Sequence, residues 1–230
     1  MTQLGEFSEQ QVLSAARTAY DRGQADAPLC VGSVALLVVD MLDEFAKPHW
    51  SPYWIPNATA QAPDIRRVQD ACRKLTVPVI NIGYETSLMG TNFPPWLPAV
   101  PIGKGLSEYV GQLFTKVSFY EPVAPQPGDL VLLKHAYSAF HETPLETVLR
   151  NLGVDTVIIC GTVTNFCCGA TAREAFWHGF KVVFGSDINS SDDEECQRAE
   201  LKTLRRGYAR ILTSAEIIQE LQESMAATHS

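Results

Sequence analysis

The sequence predicts a three-layer α/β/α domain built on an open, mainly parallel sheet of about six strands. Three observations lead there. The run Val34-Ala-Leu-Leu-Val-Val-Asp40 is apolar without alternation, as in a strand buried on both faces. From residue 130 onward, short apolar runs alternate with segments of helical length, the pattern of right-handed βαβ units. Ser, Thr, Gly and Pro stand where those units should begin and end. A chain of 230 residues, 46% of them apolar, has material for one sizeable core. Positions 1–230 are therefore expected to form a single domain, with an N-terminal helical extension at about 8–22.

Each element has its own local cause. Ser8 with Gln11 spells a capping box, and Val12, Ala16, Ala19 and Tyr20 then share one helical face. Residues 21–32 hold Gly, Pro and Asp and connect to the first strand, 34–40. Pro63 opens a helix to Leu75, with Ile65, Val68, Cys72 and Leu75 on one side. A strand at 78–82 follows. Residues 83–127 then form a long Pro- and aromatic-rich connection, with a short helix expected at about 106–113. Strand 130–134 leads to a helix opened by Thr143-Pro144 and closed by Gly153, and strand 156–160 to a helix ending near Gly179. Strand 181–184 feeds a helix capped by Ser191 with Glu194 and stopped at Gly207. A short strand at 209–212 precedes a last helix capped by Thr213 with Glu216.

Composition narrows the function. The net charge of −8, with no Lys/Arg cluster, argues against a nucleic-acid groove. The longest apolar run falls far short of the ~20 residues of a membrane-spanning helix, and the N-terminal residues lack a signal peptide's basic and apolar regions. A cytoplasmic protein acting on a small molecule, without nucleic acid or membrane, is expected. Six cysteines lack CxxC spacing and are expected to be reduced thiols.

In open parallel sheets, ligands bind at the carboxyl ends of the strands. Asp40 ends the first strand, Lys134 ends Leu130-Val-Leu-Leu133, and Cys167 lies in the turn Gly161-Thr-Val-Thr-Asn-Phe-Cys167, which opens a helix. Singly, such residues are ordinary caps, surface ends or core packing; together they make a coherent set. Lys134 and the helix N-terminus are expected to lower the Cys167 pKa and make it the most reactive thiol. Asp40 can take the thiol proton and return it to a leaving nitrogen. A base other than His is needed, because only His135 and His141 fall near a strand end.

These residues resemble the isochorismatase-like cysteine hydrolases, a superfamily of nicotinamidases, N-carbamoylsarcosine and ureidoacrylate amidohydrolases and isochorismatases. The resemblance rests on Leu36-Leu-Val-Val-Asp-Met-Leu-Asp-Glu-Phe45, on Lys134-His-Ala-Tyr-Ser-Ala-Phe140, and on 161–175 followed by Gly179-Phe180. It implies Asp40, Lys134 and Cys167 as the catalytic residues, with Cys168 structural. It further implies a cis peptide at Thr162–Val163 and an oxyanion hole made by the N–H groups of Val163 and Cys167. The stretches 123–129 and 137–144 look closer to the carbamoyl- and ureide-cleaving members. The Asp/His metal cluster of the nicotinamidases has no counterpart, since 41–104 holds only His49. No metal, no cofactor and a substrate other than nicotinamide are therefore expected.

The pocket wall is expected from loops at the strand ends: Phe45, Trp50 and Trp54, then Tyr84 and Glu85, then Phe93 and Trp96, then His135, Tyr137 and Phe140, with Asn165. Glu85, His135 and Asn165 are candidates to orient a polar substrate. A homo-oligomer, dimer or tetramer, is expected, with the N-terminal helix and the aromatic loop as contacts. Cleavage of a C–N bond through a thioester is the leading function. Acid-catalysed vinyl-ether cleavage of the isochorismatase type, or a non-catalytic binding role, are the alternatives.

Overall fold

The computed structural model describes residues 5–23, 25–85, 113 and 115–228. Six parallel strands form one sheet in the order β3-β2-β1-β4-β5-β6. They are β1 (Val34–Val39), β2 (Val79–Tyr84), β3 (Leu130–Lys134), β4 (Thr156–Thr162), β5 (Lys181–Ser190) and β6 (Arg210–Leu212). The helices are α1 (Glu9–Arg22), α2 (Asp43–Ala46), α3 (Pro56–Ala60), α4 (Ala62–Lys74), α5 (Leu145–Asn151), α6 (Gly169–Trp177), α7 (Glu194–Gly207) and α8 (Ser214–Thr228).

Two apolar clusters sandwich the sheet, which accounts for the unbroken burial of β1. Val34, Leu36 and Val38 pack with Ile65, Val68 and Cys72 of α4 and Ile217 and Leu221 of α8. Ala35, Leu37 and Val39 point the other way, toward Leu145 and Leu149 of α5, Ala172 and Ala175 of α6 and Leu204 of α7. A fully buried Leu or Val of this kind contributes about 1.5–3 kcal/mol relative to an exposed one. The N-terminal helix carries the expected capping box at Ser8 and Gln11 but buries no side chain. It rests on α7 through Tyr20, which lies beneath the Arg206 guanidinium and accepts its hydrogen bond.

The structure differs from the expected boundaries where tertiary pairing overrides local signals. Strand β5 runs six residues beyond Phe184, through the polar stretch Gly185-Ser-Asp-Ile-Asn-Ser190. A register shift between Ile159 and Gly161 lets it pair again at Gly161–Asn189 and Thr162–Ser190. The cap of α7 is Asp193, not Ser191. Asp193 accepts from the Cys196 N–H, while the Ser191 hydroxyl accepts from the Asp193 N–H one turn earlier. The short helices α2 and α3 lack the length for a periodic signal. The helix expected at about 106–113 lies outside the described residues, apart from Leu113.

Candidate active site

The strand order reverses between β1 and β4, and a crevice at such a switch point is where ligands bind in doubly wound sheets. Asp40 leaves β1 at that point. Its N–H still donates to Ile82 O at 2.8 Å, and its φ of 50° turns the chain out of the sheet in a conformation that Asp tolerates better than most residues. Lys134 ends β3, two strands away, in register with Tyr84. Two strand spacings amount to about 9.6 Å, so only a long side chain crosses β2 to reach Asp40. The stem passes beside Tyr84, bringing the ammonium 5.1 Å from the ring centroid and Nζ to 2.7 Å from Asp40 Oδ2. Nζ also donates to Ala136 O at 3.0 Å. Neither side chain of the pair is exposed.

Cys167 approaches from β4. Residues 164–168 form a wide π-type turn that runs into α6. Val163 O accepts from the N–H groups of Phe166 and Cys168, on either side of Cys167. The Thr171 hydroxyl donates to Cys167 O at 2.6 Å and accepts from Ala139 N–H at 3.0 Å, tying this turn to the loop after β3. The Thr162–Val163 peptide bond is cis. Before it, Gly161 has φ +128°, and a Cβ there would lie 1.9 Å from Val39 O, so β1 and β4 approach closely only because this residue is glycine. The buried Gln61 amide holds Gly161 O at 2.8 Å.

The thiol of Cys167 is electrostatically coupled to both Asp40 and Lys134. Burial holds the Asp40 carboxyl above the usual carboxylate range, against the opposing pull of Lys134, Cys167 and the Tyr84 backbone. Burial works against the Lys134 charge too, but Asp40 and Cys167 outweigh it and keep the ammonium protonated beyond its ordinary range. The thiol differs from the sequence expectation. Lys134 does favour the thiolate, yet desolvation together with Asp40 pushes Cys167 up to about 12. Lys134 is thus the cation that faces Asp40 at 2.7 Å, and the thiol is held toward its neutral form.

Above the trio opens a cavity of about 310 Å³. Of the expected wall residues, Phe45, Trp54, Tyr84 and Tyr137 line it together with Val163 and Cys167. Trp54 is fixed by its indole N–H to Thr59 Oγ1 at 2.8 Å. Trp50 instead stands half exposed under Lys47. Phe140 is core, stacked on His178 and packed against Phe180. His135 meets Glu85 O at 2.9 Å, and Asn165 accepts from the Ser191 hydroxyl at 2.7 Å. Phe93 and Trp96 lie outside the described residues. Pro52, Tyr53, Ile55, Phe166 and Asp192 also line the cavity and were not anticipated. Phe166 was legible as the neighbour of the thiol; the others depend on how the loop after α2 and the start of α7 fold over the sheet. Among the described residues, no group of three or more His, Cys, Asp or Glu side chains could hold a metal ion, and no helix is long and apolar enough to cross a membrane.

Comparison with known proteins agrees with this fold. Residues 34–216 match the isochorismatase domain. The chain is 32% identical to nicotinamidase 3 of Arabidopsis thaliana over 194 residues, covering 81% of this chain and 88% of that protein. It is 30% identical to the maleamate amidohydrolase of Pseudomonas putida, over 82% of this chain and 86% of that protein. Among solved structures, a cysteine hydrolase from Pseudomonas syringae pv. phaseolicola superposes with a TM-score of 0.76 at 29% identity, over 86% of this chain and 97% of that one.

Proposed function

The chain belongs to the isochorismatase family, and from that premise we propose that it is a cysteine-dependent amidohydrolase cleaving a C–N bond of a small molecule through a thioester on Cys167. Hydrolysis of non-peptide C–N bonds is the activity named for the nicotinamidase and maleamate amidohydrolase relatives. One observation supports the cysteine mechanism above all: the Cys167 thiol lines the cavity and is electrostatically coupled to a buried pair in which the Lys134 ammonium stands 2.7 Å from the Asp40 carboxylate.

The steps follow from the charges. Asp40 accepts the Cys167 proton as sulfur attacks the amide carbon, and the carbonyl π electrons move to oxygen. The N–H groups of Val163 and Cys167 face the developing oxyanion in this scheme, while Lys134 stabilises the thiolate and, by opposing the effect of burial, favours the ionised Asp40 that can accept the proton. Asp40 then returns the proton to nitrogen as the C–N bond breaks, releasing ammonia or an amine and leaving a thioester. Water, deprotonated by the same carboxylate, attacks the thioester; the acid departs and the thiol is restored. No step calls on a metal.

The test is ammonia release from a panel of primary amides, carbamoyl amino acids and ureido acids, with Cys167→Ala as control. Turnover by the wild type and a loss of roughly 10³-fold or more in Cys167→Ala are expected. Pyruvate release from a vinyl ether that survives Cys167→Ala would overturn the thioester in favour of acid catalysis.

A further inference from the structure

The cavity above Cys167 is walled by Phe45, Tyr53, Trp54, Ile55, Tyr137 and Phe166, and these side chains offer a substrate apolar and aromatic surface. Its volume of about 310 Å³ is at the small end for ligand pockets, enough for one ring with a substituent. The charge it presents is one-sided. Lys134 is cancelled by Asp40 within the buried pair. Neither member of that pair lines the cavity; among the described residues the charged side chain that does is Asp192, which is exposed and accepts a hydrogen bond from the Ser191 hydroxyl at 3.2 Å.

Asp192 begins the run Asp192-Asp193-Glu194-Glu195, all exposed, on a protein whose net charge is −8. Residues 86–112 contribute one Lys and one Glu, so that stretch adds no net charge. The N-terminus of α7 would otherwise attract an anion, but Asp193 already caps it, accepting the Cys196 N–H at 2.7 Å, and Glu194 and Glu195 occupy the first turn. A carboxylate on the substrate would therefore meet apolar rings and a carboxylate, with no cation on the described wall to receive it. A buried or half-buried carboxylate without a partner is disfavoured.

Resting on the amidohydrolase reading of the same site, we propose that the substrate is an amide with a ring-sized apolar body and a positively charged group set against Asp192, and that carboxylate-bearing amides are selected against. This differs from the substrate class named for the maleamate amidohydrolase relative, whose substrate carries a carboxylate.

Three probes of one shape test it: 4-(aminomethyl)benzamide, 4-methylbenzamide and 4-carboxybenzamide, which are cationic, neutral and anionic at pH 7.5. Binding is measured on Cys167→Ala through quenching of tryptophan emission, Trp54 being in the wall, and turnover on the wild type through ammonia release. The expected order of affinity is cation, neutral, anion, with about fivefold per step, the size of one Coulomb contact at 4 Å in water. In Asp192→Asn the cation-to-neutral ratio should fall toward one. In the unchanged chain the same ratio should shrink when salt is raised to 0.5 M. An anion that binds as well as the neutral probe, or no binding by any of the three, overturns the proposal. Ordered binding without ammonia from any wild-type reaction would count against the amidohydrolase reading while upholding the charge selection.

Discussion

Removing the ammonium from the buried pair should make the stability of this protein depend on pH in a predictable direction. Lys134→Met keeps the apolar stem and deletes the charge that lies 2.7 Å from Asp40 Oδ2, where neither side chain is exposed. Breaking a buried pair costs about 3–5 kcal/mol when the survivor stays charged. For a chain of this size, each kcal/mol moves Tm by about 2–4 °C, so the deficit should be roughly 10 °C. Asp40 has a way out. Burial already holds its carboxyl above the usual range, and losing Lys134 removes the main opposing influence. A carboxyl whose native pKa is raised binds its proton more tightly folded than unfolded. Its favourable contribution is complete below the unfolded value near 3.9 and is lost as pH rises through the native value. The variant should therefore melt well below the wild type at pH 8 and recover much of the gap at pH 5. Asp40→Asn/Lys134→Met, which leaves no charge at either position of the pair, should recover stability at both. Thermal melts followed by circular dichroism at the two pH values suffice. An equal deficit at pH 5 and pH 8, or none at either, would refute the account of the pair.

Other consequences are testable in the same preparation. The kcat/KM of the wild type should fall as acid titrates Asp40, with a midpoint above the ordinary 3.8, and should hold on the alkaline side until Lys134 titrates above 10.5; an alkaline loss near pH 8 would contradict the assigned charges. Iodoacetamide at neutral pH should label the exposed Cys30 and Cys196 before Cys167, whose thiol is buried and protonated at rest, as peptide mapping would show. Gly161→Ala should cost roughly 3 kcal/mol or more, because its Cβ would overlap Val39 O at a φ of +128°, and urea titration would detect it. Gln61→Leu, which frees Gly161 O at the β4 end, should lower kcat more than stability; a pure stability loss with unchanged kcat would make Gln61 merely structural.

Much of this architecture was legible because local and global demands coincide. An apolar run such as 34–39 has few ways to be buried except as a central strand, and a polar residue at its end, Asp40, then falls at the ligand-binding edge. Lys134 and Cys167 were readable for the same reason. The cavity wall was less so. Phe140 and Tyr137 are three residues apart, yet one stacks in the core on His178 and the other faces the cavity; that choice is made by α6, not by the local sequence. The polar second half of β5 reads as loop because its pairing is restored only after a register shift in β4. The upward pull of burial on the Cys167 thiol is not legible in sequence, where a nearby lysine is visible but the depth of burial that opposes it is not.

The central claim is covalent chemistry at Cys167, and the most direct measurement is peptide mass spectrometry on wild-type enzyme acid-quenched during turnover of an amide it hydrolyses. The account predicts the mass of the acyl group on the peptide that contains Cys167. An acyl group on a different residue, or none while Cys167→Ala turns over at the wild-type rate, would contradict it.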